Sequence, residues 1–184
     1  MGILETIDTS IGSYAPDFEL PGTDNQVHHL RRYLEKFEAV AVIAMSNHCP
    51  YVNLCLDRLK GIQSQFSTAG LTLIGLNGSD ASVDPEEGFE KMKAFASNSE
   101  LNFPYLWDPT QEVTRSFGVD KTPTALLIDK SCVVRYKGLV DDNPDLSGVI
   151  TEHYLTKAIS SLLKGEDISV TITEAVGTSL IWRN

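Results

Sequence analysis

The chain has 184 residues, 42% of them hydrophobic and 22% charged, which is ordinary globular usage and long enough for a buried core. Its net charge of −10 is unrelieved by any basic cluster denser than Arg31-Arg32 with Lys36 nearby, which argues against nucleic acid or an anionic membrane surface as partner. Three cysteines, Cys49, Cys55 and Cys132, do not make a secreted disulfide framework and fit a cytoplasmic or other reducing compartment.

Residues 1–6 carry no charged n-region or apolar h-region, so no secretory signal is expected; Gly2…Thr6 matches the short, common myristoylation pattern. No run of about 18 apolar residues exists to cross a bilayer. The chain shows no repeat, low-complexity tract or linker, and residues 1–184 read as one α/β domain.

Asp17 to Leu20 alternates, Pro21 to Asn25 turns, and Val27 to Leu30 returns, which predicts a hairpin. Leu30 to Phe37 reads as a short helix. Ala39 to Met45 is continuously apolar, as a central strand buried on both faces should be. After Ser46-Asn47-His48-Cys49-Pro50, a helix is expected over Tyr51 to Phe66, with Val52, Leu56 and Leu59 on one face. Leu71 to Leu76 is the next buried strand. Asp84-Pro85-Glu86-Glu87 predicts a helix start, with Asp84 as cap, Pro85 in the first turn and Glu87 completing a capping box. Phe103 to Trp107 reads as a short strand, and Asp108 to Gln111 as a second helix start. Thr124 to Ile128 and Cys132 to Tyr136 form a hairpin, Glu152 to Leu163 a last helix, and Ile168 to Trp182 an extended tail.

Cys49 is the candidate nucleophile. It lies where a buried strand gives way to a helix, and helix N-termini offer free N–H groups and partial positive charge that favour a thiolate. A hydroxyl at Ser46 can donate to that thiolate or cap the helix, and His48 adds positive charge when protonated. Cys55 follows Cys49 by six residues, about 9 Å of helical rise, so the two pair only if the helix unwinds. Thr122-Pro123 precedes an apolar strand; the proline there is either cis in a tight turn or an ordinary strand-start residue. His28, His29 and His153 show no ligand spacing with Cys49 and no CxxC pair exists, so no metal is expected. Gly75-Leu76-Asn77-Gly78 lacks a full phosphate or dinucleotide fingerprint, so no cofactor is expected.

Several stretches together resemble the alkyl hydroperoxide reductase/thiol-specific antioxidant (redoxin) family. Ala15-Pro16-Asp17-Phe18-Glu19-Leu20 is similar to its opening motif. Asn47-His48-Cys49-Pro50-Tyr51-Val52 resembles the Cys-Asn-His-Cys-Pro-Tyr-Val signature of a thioredoxin-like branch. Phe103 to Leu106, Phe117-Gly118-Val119, Thr122-Pro123, Leu127-Ile128-Asp129, Asp141-Asp142 and Gly177 to Trp182 follow in the same order. The resemblance implies a thioredoxin fold, a central mixed sheet flanked by helices, with a redoxin-type N-terminal hairpin and a C-terminal extension. It also implies that Thr122-Pro123 is a cis-proline facing Cys49, with Asn47 beside the substrate groove, and an antioxidant or thiol–disulfide exchange role.

Two positions depart from the branch: its first active-site Cys is Ser46 here, and its C-terminal Cys is Thr178. A hydroxyl cannot replace the attacking thiol at neutral pH, so a dithiol cycle between positions 46 and 49 is excluded. Ser46-Asn47-His48-Cys49 also resembles the Thr-x-x-Cys of peroxiredoxins, with Arg115 the candidate thiolate-stabilising arginine. The expected function is therefore a thiol oxidoreductase using Cys49 alone, on peroxide or on a protein or small-molecule thiol, with an external thiol reductant and Cys55 as candidate resolving residue. The alternative is a redox-inactive binding module that uses the cis-proline groove.

Overall fold

In the computed structural model, which describes residues 10–184, the chain opens with an antiparallel hairpin of β1 (Glu19–Pro21) and β2 (Val27–His29). Helix α1 (Leu30–Lys36), β3 (Ala39–Ala44), α2 (Pro50–Phe66) and β4 (Leu71–Asn77) follow. A single 3-10 turn, Pro85–Glu87, precedes α3 (Phe89–Asn98), β5 (Tyr105–Trp107) and α4 (Glu112–Ser116). The remainder holds β6 (Lys121–Thr122), β7 (Thr124–Asp129), β8 (Val134–Gly138), α5 (Tyr154–Leu163) and β9 (Thr178–Ser179). The Gly2…Thr6 pattern lies outside the described residues.

Five strands form one sheet in the order β5-β4-β3-β7-β8. β3, β4 and β5 run parallel, while β7 is antiparallel to both β3 and β8. This is the mixed, helix-flanked sheet of a thioredoxin fold. β3 sits at its centre, and its side chains alternate between two buried faces. Ala39, Ala41 and Ile43 pack with Val52, Leu56 and Leu59 of α2, Met92 of α3, and Leu155 and Ile159 of α5. Val40, Val42 and Ala44 pack with Leu30 and Leu34 of α1, Phe117 and Leu180. With both faces covered, no polar residue is tolerated along the strand.

The tail after α5 covers edges. Lys137 exchanges backbone hydrogen bonds with Thr171 and Thr173 along β8. The chain then crosses the molecule to pair β9 with β6, Lys121 opposite Ser179 and Thr122 opposite Thr178. Covering an open strand in this way removes a pairing surface.

Three local expectations need correction. Residues 84–98 are not one helix with a capping box: Asp84 accepts from the Glu86 N–H, but Gly88 is extended between the 3-10 turn and α3, and Glu87 is turned inward. Asp108 does not cap the start of α4; its buried carboxylate accepts from the N–H and hydroxyl of Thr114, and Gln111, at φ 64°, precedes the helix. Cys132 lies in the turn before β8 with φ 65°, not in the strand.

Candidate active site

β3 delivers the chain at its C-terminal end into the segment 45–49, and Pro50 opens α2. Cys49 is the N-cap residue, with extended backbone that the following proline favours. No side chain caps α2, so its first-turn N–H groups have no side-chain acceptor.

The Cys49 side chain points at the place where β6 meets β9. Its Sγ lies 3.3 Å from the Thr122 carbonyl oxygen and 3.2 Å from Thr178 Oγ1. The thiol has one proton. If it is donated to the carbonyl, which can only accept, the Thr178 hydroxyl is left to donate to sulfur. The Thr122-Pro123 bond is cis, so the reading of that proline as an ordinary strand-start residue does not hold. Cys49 is only 1% exposed, yet Thr178 above it is exposed. The sulfur is thus one side chain beneath the surface.

Glu87 organises the other side of the segment, and the sequence reading missed it. Although 1% exposed, its carboxylate meets four donors. Oε1 accepts from the Ser46 hydroxyl and, at 2.9 Å, from the His48 N–H. Oε2 accepts from the Asn47 N–H at 2.9 Å and from Asn77 Nδ2 at 2.8 Å. A buried carboxylate is tolerated when its lone pairs are filled in this way. Tyr105 extends the network, donating to Asn47 Oδ1 at 2.7 Å and accepting from Asn77 Nδ2. Burial first, and then the Glu87 charge, hold the Tyr105 hydroxyl protonated well above the usual tyrosine range. The second acidic residue in Pro85-Glu86-Glu87 was the available signal, but its partners lie about forty positions earlier.

Five expected roles change. Ser46 neither caps α2 nor bonds the Cys49 sulfur, because its hydroxyl is committed to Glu87. The His48 ring, 68% exposed, turns to Asp84 with Nδ1 3.1 Å from Oδ2, and this hydrogen bond raises its pKa above 6.5. Arg115 is exposed and lays its guanidinium over the Trp182 ring at 4.2 Å instead of facing Cys49. Cys55 stays on an intact turn of α2 with its thiol directed to the Val52 carbonyl, and burial pushes its pKa up to about 12. A thiol so placed is no ready resolving group. Thr122 does converge on the site, presenting its carbonyl to Sγ, whereas the Asn47 side chain, expected beside the groove, is committed on the Glu87 side to the Glu86 carbonyl and the Tyr105 hydroxyl.

Comparison with known proteins points the same way. Residues 11–137 match the AhpC/TSA family. The thiol-disulfide oxidoreductase ResA of Geobacillus thermodenitrificans (strain NG80-2) is 25% identical over 131 residues, 71% of this chain and 70% of that protein. The structure of a hypothetical protein from Sinorhizobium meliloti 1021 is similar with a TM-score of 0.88 at 30% identity, covering 95% of each chain. That of an uncharacterized conserved protein from Geobacillus kaustophilus is similar with a TM-score of 0.89 at 29% identity, over 95% of this chain and 93% of that one. The family match spans well over half the chain and includes the whole strand-to-helix segment that carries Cys49, so the protein belongs to the AhpC/TSA family.

Proposed function

We propose that the protein is a single-thiol oxidoreductase in which the Cys49 thiolate attacks a disulfide. One sulfur of the substrate bonds to Sγ, the other leaves as a thiolate, and an external thiol then attacks the mixed disulfide and releases Cys49. The observation that carries this reading is the surrounding of Sγ: its two polar neighbours are the Thr122 carbonyl and the Thr178 hydroxyl, and no second sulfur is bonded to it. A mixed disulfide formed there has no internal thiol to collapse it. The uncapped first turn of α2 favours negative charge that develops on sulfur during exchange.

Disulfide exchange is favoured over peroxide reduction by the fate of Ser46 and Arg115. A peroxidase needs donors aimed at the peroxide oxygens beside the thiolate. Here the Ser46 hydroxyl and the Asn47 and His48 N–H groups are spent on Glu87, and Arg115 is stacked on Trp182. The burial of Cys49 favours a second reading, a binding module whose groove beside the cis-proline holds a partner without redox change.

One experiment separates them. The protein is incubated with glutathione disulfide or with stoichiometric hydrogen peroxide and a sulfenate trap, and each cysteine is followed by peptide mass spectrometry. The expected result is a glutathione adduct at Cys49, formed faster than sulfenate. An unmodified Cys49 in the native protein, with ready reaction after unfolding, would refute the oxidoreductase and favour the binding module.

A further inference from the structure

Cys49 is 1% exposed, and the C-terminal tail lays Thr178 against its sulfur. Thr178, the residue lying over Sγ, belongs to a strand of only two residues, both exposed, held to Lys121 and Thr122 by one short ladder. Beyond it the tail is anchored more firmly. Leu180 is buried and donates its N–H to the Asp120 carbonyl, and the Ile181 carbonyl accepts from the Asp80 N–H and from Gln111 Nε2. A short exposed ladder ahead of a firm anchor is the part of such a segment that opens first. On the near side, Gly177 passes so close to β6 that a Cβ there would sit 2.0 Å from the Thr122 carbonyl oxygen. The tail fits this edge only because residue 177 has no side chain.

We propose that residues 177–179 are a gate. β9 occupies the edge of β6 that an extended polypeptide bearing a disulfide must use, and such a substrate reaches Cys49 by displacing β9 and setting its own sulfur where Thr178 now lies. This rests on the reading of Cys49 as the attacking thiol and adds to it the substrate class and the regulation. Two features support a polypeptide. The backbone groups of Lys121 and Thr122 are already used in antiparallel pairing, and strand addition to such an edge supplies main-chain hydrogen bonds whatever the sequence of the incoming chain. The register also sets the side chain opposite Thr122 directly over Sγ.

Gly177→Ala tests the gate, because the added methyl group meets the Thr122 and Pro123 backbone, so the pairing of the tail with β6 must give way at that point. The full-length native protein and this variant are treated with dithiobis(nitrobenzoate), which gives a Cys49 mixed disulfide and a thionitrobenzoate anion. Modification of Cys49 is followed by peptide mass spectrometry, with hydrogen exchange of the Thr178 and Ser179 amides as reporter of the tail. The expected result is Cys49 modification about tenfold faster or more in Gly177→Ala, alongside faster exchange at Thr178 and Ser179. Leu180→Asp, which loosens the anchor, should act in the same direction. Equal and rapid modification with the tail closed and released would overturn the gate and leave Cys49 as a reactive thiol. No modification in any form, despite a released tail, would overturn both the gate and the oxidoreductase. Within the native protein, the dependence of the Cys49 rate on reagent concentration gives a check free of mutation: it should level off at the opening rate of β9, read from hydrogen exchange of the Thr178 and Ser179 amides, and a rate that climbs past that opening rate contradicts the gate.

Discussion

Cys49 and Cys55 lie on one helix and have opposite prospects. Cys49 stands before the first turn with two oxygen atoms against its sulfur, while Cys55 is one turn in, packed in hydrocarbon and bonded only to the Val52 carbonyl. His48, between the strand end and Cys49, is set by Asp84. The hydrogen bond and charge of Asp84 raise the His48 pKa, and the same contact lowers that of Asp84. The raised histidine contributes below about pH 6.5 and its contribution fades as pH climbs through its folded value. The lowered aspartate contributes above about pH 4 and fades as pH falls through its folded value. The contact is therefore strongest between those limits. In Asp84→Asn the His48 ring titration, followed by NMR, should move down toward 6.5; an unchanged titration would mean that Asp84 does not set it.

At the scale of elements, the strand-to-helix segment is held by a different part of the chain on each side. The 3-10 turn at Pro85–Glu87 supplies a carboxylate to Ser46, Asn47 and His48, and the tail supplies Thr178. Glu87→Ala leaves four buried or half-buried donors without an acceptor, which should lower stability by about 2–4 kcal/mol in urea unfolding. Glu87→Gln should fall between, because its one carbonyl oxygen serves two of the donors and its NH2 group faces the others. If both variants unfold within about 0.5 kcal/mol of the native protein, Glu87 is not the organiser described above.

For the whole molecule, the fold was legible where it rests on local pattern. The unbroken apolar run Ala39 to Ala44 gives away the central strand, because only a strand covered on both faces needs apolar residues at every position. Cys49 was legible for the same reason: it follows that strand and precedes a proline-led helix. The surroundings of the site were not, because they come from remote segments. Glu87 looked like a capping-box residue, and only the approach of the 45–49 segment draws it inward. Arg115 looked free to serve the thiolate, and only the folded tail brings Trp182 beneath it. Ser46 fits its place by a hydrogen bond that spacing along the chain cannot disclose.

Cys55 gives the molecule a pH signature. Burial raises its thiol from 9.0 to about 12, so the folded state keeps a proton that the unfolded chain loses. This stabilisation is complete below pH 9 and declines as pH rises through about 12, a loss on the order of 4 kcal/mol. Cys55→Ala should flatten the decline in unfolding curves recorded from pH 9 upward; an equally steep decline in the variant would place its origin elsewhere.

The proposed chemistry runs through one sulfur, Cys49 Sγ. It is tested most directly by the steady-state rate at which glutathione reduces a disulfide-bearing peptide in the presence of the protein, compared among the native chain, Cys49→Ser, and a chain with Cys55→Ala and Cys132→Ser together. The expected result is loss of the catalysed rate in Cys49→Ser and its retention in the chain that keeps Cys49 as its one thiol. Turnover that survives Cys49→Ser, or that disappears when only Cys49 is left, would contradict the account.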